Sequence, residues 1–232
     1  MHPDERPLTG GRTTSNIIRV GDTVRRPPKA NAAFVREFLG YLASRGFTGA
    51  PRFKGVDEFG REILSYLEGE VPSELGSFSE PQVAEAARLL RGLHDYAAGW
   101  DGRGEEETVC HGDASPCNTV FLQGVPRAFI DFDTAHPGSR REDVGYAAWL
   151  WLDVGNDELD PRAQGRRVSA FVRAYGSFPG LDALPAILDA QEELSRRDGA
   201  PAGVRRWAAE CRRWTETHAG EMELGLQNTG AA

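Results

Sequence analysis

Four side chains near the middle of the chain have the types and spacing for moving a phosphoryl group. His111-Gly112-Asp113 is followed, after four intervening residues, by Asn118; an apolar run then ends in Ile130-Asp131-Phe132-Asp133. A hydroxyl that attacks phosphorus must shed its proton, and a carboxylate carried on a loop can take it. A magnesium ion bridging phosphates needs hard oxygen donors, which Asn and Asp side chains provide. Asp113 is therefore assigned as the catalytic base or hydroxyl-positioning residue, and Asn118 and Asp131 as the holders of Mg2+. Asp133 is assigned a supporting contact to the same or a second ion. His111 reads as a brace that hydrogen-bonds the loop rather than as a reacting group. Each fragment alone is an ordinary turn or strand end; the ordered combination carries the chemistry.

These residues need elements to hold them. Strands are predicted at Thr119–Leu122 and Arg127–Asp131, split by the turn pair Gln123-Gly124, so that a hairpin returns Asp131 to the edge where Asn118 sits. A short strand leads into Cys110, after a polar loop over Trp100–Glu107. Upstream, Ser79 and Gln82 have the spacing of a capping box and start a helix that runs to about Tyr96. The first part of the chain is β-rich. Strands are predicted at Asn16–Val20, Thr23–Arg26, Arg52–Asp57 and Arg61–Tyr66, with a helix from the cap candidate Asn31 to about Arg45. That order, β-β-α-β-β, is a small sheet with one helix. Residues 67–72 read as a linker. After the hairpin, helices are predicted at Arg141–Asp153, Pro161–Tyr175, Leu184–Arg197 and Pro201–His218, with proline in the first turn of the second and fourth. The last dozen residues are expected to fray. The class is α+β.

The chain has 232 residues, enough for one two-lobed enzyme. A formal charge of −8 and a pI near 5.2 argue against a nucleic-acid partner and would attract a cationic substrate. No apolar run reaches the ~18 residues of a membrane span, and the N-terminus lacks a signal-peptide core, so a cytoplasmic location is expected. Cys110, Cys117 and Cys211 form no even disulfide set, and the first two are not spaced like a zinc knuckle; they read as buried or idle thiols. The oligomeric state is not legible.

From His111-Gly-Asp113 through Asn118, then Ile130-Asp131-Phe132-Asp133, Pro137-Gly138 and Asp143 before an aromatic helix, the chain resembles the aminoglycoside phosphotransferase superfamily, which includes choline kinase-like enzymes. The spacing is also that of a kinase catalytic loop with its metal-binding aspartate. The resemblance implies a bilobal protein-kinase-like fold, a small antiparallel sheet lobe over residues 1–66, a hinge over 67–72 and a larger helical catalytic lobe over 73–232. It implies ATP or GTP between the lobes as donor and a small-molecule alcohol as acceptor. It further implies that the backbone of Ser65-Tyr66-Leu67 meets the adenine edge and that Asp143 anchors the catalytic core, although an acid at a helix start is common in its own right.

The chain departs from the family where a strand lysine should grip the donor phosphates and pair with a helix glutamate. Arg26 stands there, and its planar fork is not equivalent to an ammonium. Lys29 is the competing cation, one of only two lysines in the chain. Glu37 is the nearest helix partner, though a surface glutamate is the plainer reading. Leu8-Thr9-Gly10-Gly11-Arg12-Thr13-Thr14-Ser15 is a weak candidate for a phosphate-covering turn. For the acceptor, Asp153, Asp157, Glu158, Asp160, Glu192 and Glu193 are candidate acids and Trp149 and Trp151 a candidate aromatic wall; a solvated face and a core are the alternatives. His94 reads as structural. Two rival functions remain: a nucleotide-binding protein without transfer, and a metal-dependent hydrolase using His111, Asp113, Asp131, Asp133 and His136.

Overall fold

The computed structural model describes residues 5–8, 17–178 and 180–227. The phosphate-covering turn proposed over residues 8–15 lies outside them, apart from Leu8. Five strands form one antiparallel sheet: β1 (Glu5–Pro7), β2 (Ile18–Val20), β3 (Thr23–Arg26), β4 (Phe53–Val56) and β5 (Glu62–Ser65), in the order β1-β2-β3-β5-β4. Helix α1 (Ala32–Ser44) joins β3 to β4 and buries Val35, Phe38, Leu39 and Leu42, one apolar stripe at helical spacing. Strand β1 was not predicted. It has three residues and exists by pairing with β2, so its local sequence carries almost no signal.

The second part begins with α2 (Glu80–Ala97), whose Gln82 Oε1 accepts from the Ser79 N–H at 3.0 Å. Its buried residues Val83, Ala86, Ala87, Leu90, Leu93, His94 and Ala97 mark a single face. Strand β6 (Thr108–Cys110) pairs with β9 (His136–Gly138), and β7 (Thr119–Leu122) with β8 (Val125–Phe129). Gln123 and Gly124 both have positive φ, 54° and 76°, as a two-residue hairpin turn requires. Five helices follow: α3 (Arg140–Leu152), α4 (Pro161–Tyr175), α5 (Ala183–Arg196), α6 (Ala202–Thr217) and α7 (Ala219–Gln227). Asp160 caps α4 by accepting from the Ala163 N–H at 2.8 Å, and Pro161 takes the first position.

Two expectations are corrected here. Of the last dozen residues, expected to fray, 221–227 belong instead to α7, which packs on α4 with Met222 fully buried and Gly165 and Gly225 allowing the two backbones to touch; 228–232 lie outside the described residues. An added Cβ at Gly165 would lie 2.1 Å from the Met222 carbonyl oxygen. Asn31 occupies the cap position of α1 but does not cap with its side chain; its Nδ2 donates instead to the Ala135 carbonyl at 2.7 Å, across to the other part of the molecule. The segment 67–72 is also held, because Glu70 and Phe121 exchange backbone bonds of 2.8 and 2.7 Å. Among the described residues, no helix is long and apolar enough to cross a membrane.

Candidate active site

The loop from His111 to Asn118 leaves β6 and enters β7. Its first turn depends on Gly112, whose φ is 76° and whose absent side chain leaves room for Thr134; an added Cβ would lie 2.5 Å from the Thr134 carbonyl oxygen. We expect Gly112→Ala to cost at least ~2 kcal/mol, from the left-handed backbone and the clash together. For a chain of this size that is a fall of roughly 4–8 °C in Tm, read by thermal denaturation. A shift under 1 °C would show that the turn is not constrained as described.

Beneath the loop lies Asp143, buried in the first turn of α3. Its Oδ2 accepts from the His111 N–H at 2.7 Å and its Oδ1 from the Gly112 N–H at 3.0 Å. Its other neighbour is His94 Nε2 at 3.0 Å, whose Nδ1 is 2.7 Å from the Tyr175 hydroxyl. Burial pushes the Asp143 carboxyl upward, but His94 and the His111 amide outweigh it and hold the group below the usual carboxylate range. His94 is thus a fully enclosed strut between α2, α3 and α4. His111 is enclosed too: its Nε2 lies 3.1 Å from the Ile130 carbonyl, its ring packs on Phe129 and Phe132, and burial lowers its pKa to about 4.

Asp113 projects above this brace. Asn118 Nδ2 donates to its Oδ2 at 2.8 Å and to its backbone carbonyl at 3.0 Å, closing the loop on itself. Burial raises the Asp113 pKa to about 6, against hydrogen bonds from Ser115, Asn118 and Tyr146; the nearby Asp131 carboxylate raises it further. Asp131 comes within range because the Ile130 N–H donates to the Asn118 carbonyl at 2.8 Å, stitching the two ends of the hairpin together. Asp131 itself is left-handed, φ 62° and ψ 61°, a backbone that a side chain disfavours and that turns its carboxylate out of the β8 line.

Arg26 meets this pair from β3. It is 6% exposed, and all three of its terminal nitrogens are engaged: Nε with Glu62 at 3.0 Å, one amino group with Asp131 at 3.1 Å and the other with Asp133 at 2.5 Å. Its sheet partner is Glu62, directly across on β5, and Arg36 of α1 holds the other Glu62 oxygen at 2.8 Å. Glu37 is exposed, in line with the plainer reading of a surface glutamate, and the carboxylate beside Arg26 comes from the neighbouring strand. Lys29 is exposed as well, in the turn before α1. In the Ser65-Tyr66-Leu67 segment, the N–H groups of Ser65 and Tyr66 are taken by the Arg52 and Asp22 carbonyls at 2.9 and 2.7 Å. Among the described residues the Leu67 N–H has no acceptor, so the donor of the segment is Leu67.

A cleft of about 270 Å3 opens next to Asp113, lined by Gly112, Thr134, His136, Glu142, Tyr146, Glu193 and Arg197 among others. Of the six acids proposed for the acceptor, only Glu193 lines it, and Arg197 pairs with it at 2.8 Å. Asp153 and Asp160 belong to helix ends, Asp157 and Glu158 are exposed, and Glu192 is bridged to Arg196 and Arg212. For the two tryptophans the core alternative holds and the wall does not. Trp149 is buried and stacks on Trp207 with ring centres 4.9 Å apart, and the Trp151 indole donates to the Ala114 carbonyl at 2.9 Å, supporting the catalytic loop from below. Tyr146, Glu142 and Arg197 were not anticipated. Tyr146 stands three residues after Asp143 on the same helix face, a spacing that could have marked it.

The oxygen donors fit a magnesium ion. Asn118 and Asp131 offer hard ligands at one hairpin end, and Arg26 engages only Oδ1 of the partly exposed Asp131 carboxylate.

Residues 97–187 match the family model of the phosphotransferase enzyme family, APH. A curated relative, the trifolitoxin immunity protein of Rhizobium leguminosarum bv. trifolii, is 28% identical over 260 residues, spanning 96% of this chain and 99% of its own. Among solved structures, an ethanolamine kinase of Plasmodium vivax superposes with a TM-score of 0.59 at 10% identity, over 94% of this chain and 83% of that one. A ternary complex of APH(2'')-IIa with streptomycin and ATP superposes with a TM-score of 0.50 at 15% identity, over 81% and 84%. At these identities the structural likeness establishes the fold alone: the α+β architecture seen in the aminoglycoside phosphotransferase and the ethanolamine kinase.

Proposed function

We propose, from the match of residues 97–187 to the model of the phosphotransferase enzyme family, that this chain is a small-molecule kinase acting in the cytoplasm. It transfers the γ-phosphoryl of ATP or GTP to an alcohol. The observation that carries this is the convergence of Asp113, Asn118 and Asp131 on one hairpin end, with Arg26 reaching Asp131 from the sheet. In this reading residues 1–66 hold the nucleotide, 67–72 are the hinge, and 73–232 supply the chemistry and the acceptor cleft. Leu67 and the Ser65 carbonyl meet the base. Asn118 and Asp131 would hold Mg2+, which when bound neutralises charge on the donor phosphates.

Asp113 positions the acceptor hydroxyl and takes its proton. It has to be ionised to do so, and with its pKa near 6 it is ionised at neutral pH yet basic enough to accept. Turnover measured as kcat/KM is expected to be flat above about pH 7 and to fall about tenfold per pH unit below 6. A profile that rises toward acid would remove Asp113 from this role.

An aminated acceptor is the finer reading. The overall charge of −8 favours cations, and Glu142 and Glu193 stand in the cleft. Each has a resident cation, His136 and Arg197, that an ammonium group would have to displace. A second reading, nucleotide binding without transfer, draws on Arg26: three carboxylates already occupy it, so it is less free to grip a phosphate. Incubating the protein with ATP or GTP, Mg2+ and a broad acceptor library, with mass detection of phosphorylated products, decides between them. Product supports transfer; Mg2+-dependent nucleotide binding with no product across the library selects the second reading. For the hydrolase rival, His111 and His136 do not converge. His111 is sealed beneath the loop, whereas His136 faces Glu142.

A further inference from the structure

Next to the transfer machinery the fold assembles a second donor set, separate from Asp113, Asn118 and Asp131. Cys110 ends β6, His136 begins β9 directly opposite it, and Glu142 lies in the first turn of α3. One ligand atom from each lies within 4.8 Å of the other two, and among the described residues this is the only such group of three or more His, Cys, Asp or Glu. The His136 ring is held from behind. Its Nδ1 is 2.9 Å from the Thr134 carbonyl, the outer hydrogen bond that metal-ligating imidazoles make, and its Nε2 points to Glu142 at 2.8 Å.

Gly138 sits between the three. A Cβ built there would lie 2.9 Å from Cys110 Sγ, 3.1 Å from Glu142 Oε2 and 3.4 Å from His136 Nε2. All three donors therefore border one small space that stays open because residue 138 has no side chain.

We propose that Cys110, His136 and Glu142 bind a divalent transition ion of the zinc class. A thiolate, an imidazole and a carboxylate form a borderline-soft donor set that suits zinc and does not suit magnesium, which would favour the all-oxygen donors of Asn118 and Asp131. Binding makes bonds to Sγ, Nε2 and a Glu142 oxygen, and releases the thiol proton and any Nε2 proton to solvent. The resting Cys110 contact to the Ser139 carbonyl, 3.2 Å, and the half-exposed His136–Glu142 pair give way. His136 and Glu142 line the acceptor cleft while Cys110 lies behind it, so a fourth coordination position faces the cleft, open to water or to a donor atom on the acceptor.

The test is independent of kinase activity. The full chain, stripped with a chelator, is titrated with Co2+ while absorption is followed. One equivalent should bind with a thiolate-to-cobalt charge-transfer band and the d–d bands of a four-coordinate site, and Zn2+ but not excess Mg2+ should bleach them. Cys110→Ser should abolish the charge-transfer band; Cys117→Ser and Cys211→Ser should keep it. His136→Gln and Glu142→Gln, changes on the half-exposed rim that test the site even if the buried Cys110 variant fails to fold, should each weaken binding at least ~10-fold. No charge-transfer band, a band that survives Cys110→Ser, or affinity unchanged in both rim variants overturns the proposal.

Discussion

Asp113→Asn should lower kcat by about 10²–10⁴-fold while leaving the fold as stable as before, or more so. The two halves of this result have one cause. Burial holds the Asp113 carboxyl at a pKa of about 6, so ionising it at neutral pH costs the native state more than the unfolded chain. From the difference to an ordinary carboxylate near 3.9, that cost is up to roughly 3 kcal/mol. It is present in full above pH 6 and disappears as pH falls through 6 toward 4. An amide keeps the shape and can still accept from Asn118, but it has no charge to desolvate and takes no proton. The wild type should therefore gain stability relative to the variant on going from pH 7 to 4. Paired Tm and turnover measurements check this. A variant that keeps its turnover, or loses Tm at pH 7, would mean that Asp113 serves the loop's structure and not its chemistry.

The second large effect is expected at Arg26. Its guanidinium joins Glu62 in the sheet to Asp131 and Asp133 on the far side of the cleft. Arg26→Met keeps much of the aliphatic stem and removes the charge, leaving two carboxylates close together with no cation between them. Breaking a buried pair from one side costs about 3–5 kcal/mol. Here the lower end applies, because Arg36 still holds Glu62 and Asp131 is partly hydrated. A loss of about 3 kcal/mol corresponds to roughly 6–12 °C in Tm. Millimolar Mg2+ should recover part of that loss in the variant and little in the wild type, since a divalent ion at Asp131 replaces the missing charge. Equal Mg2+ effects in both proteins would count against Asp131 as an ion ligand. Arg26→Lys is also informative: a single ammonium cannot span three carboxylates, so it should rescue only in part.

The proposed chemistry was legible in the sequence because its parts are local. His-Gly-Asp, four residues and Asn define a loop within one turn of chain, and Gln123-Gly124 announces the hairpin that carries Asp131 back beside it. The Ser79–Gln82 cap and the Asp160-Pro161 start were read the same way, from dihedral preferences and side chains that bond their own backbone. What failed to show was whatever depends on a partner distant in sequence. The three-residue strands β1 and β9 exist through pairing, α7 through docking on α4, and the Asn31 side chain through the Ala135 carbonyl. Strand register alone sets Glu62 against Arg26, and only the enclosure of α3 decided between core and wall for Trp149 and Trp151.

The sequence by itself thus determined which oxygens and which hairpin the proposed reaction would use. The tertiary structure decided what surrounds them: three carboxylates on Arg26, Asp143 and His94 under the loop, and a cysteine, a histidine and a glutamate at one glycine. Turns and caps are encoded by residues a few positions apart, whereas charge partners and donor sets arise when β-pairing and helix packing bring together segments tens of residues apart.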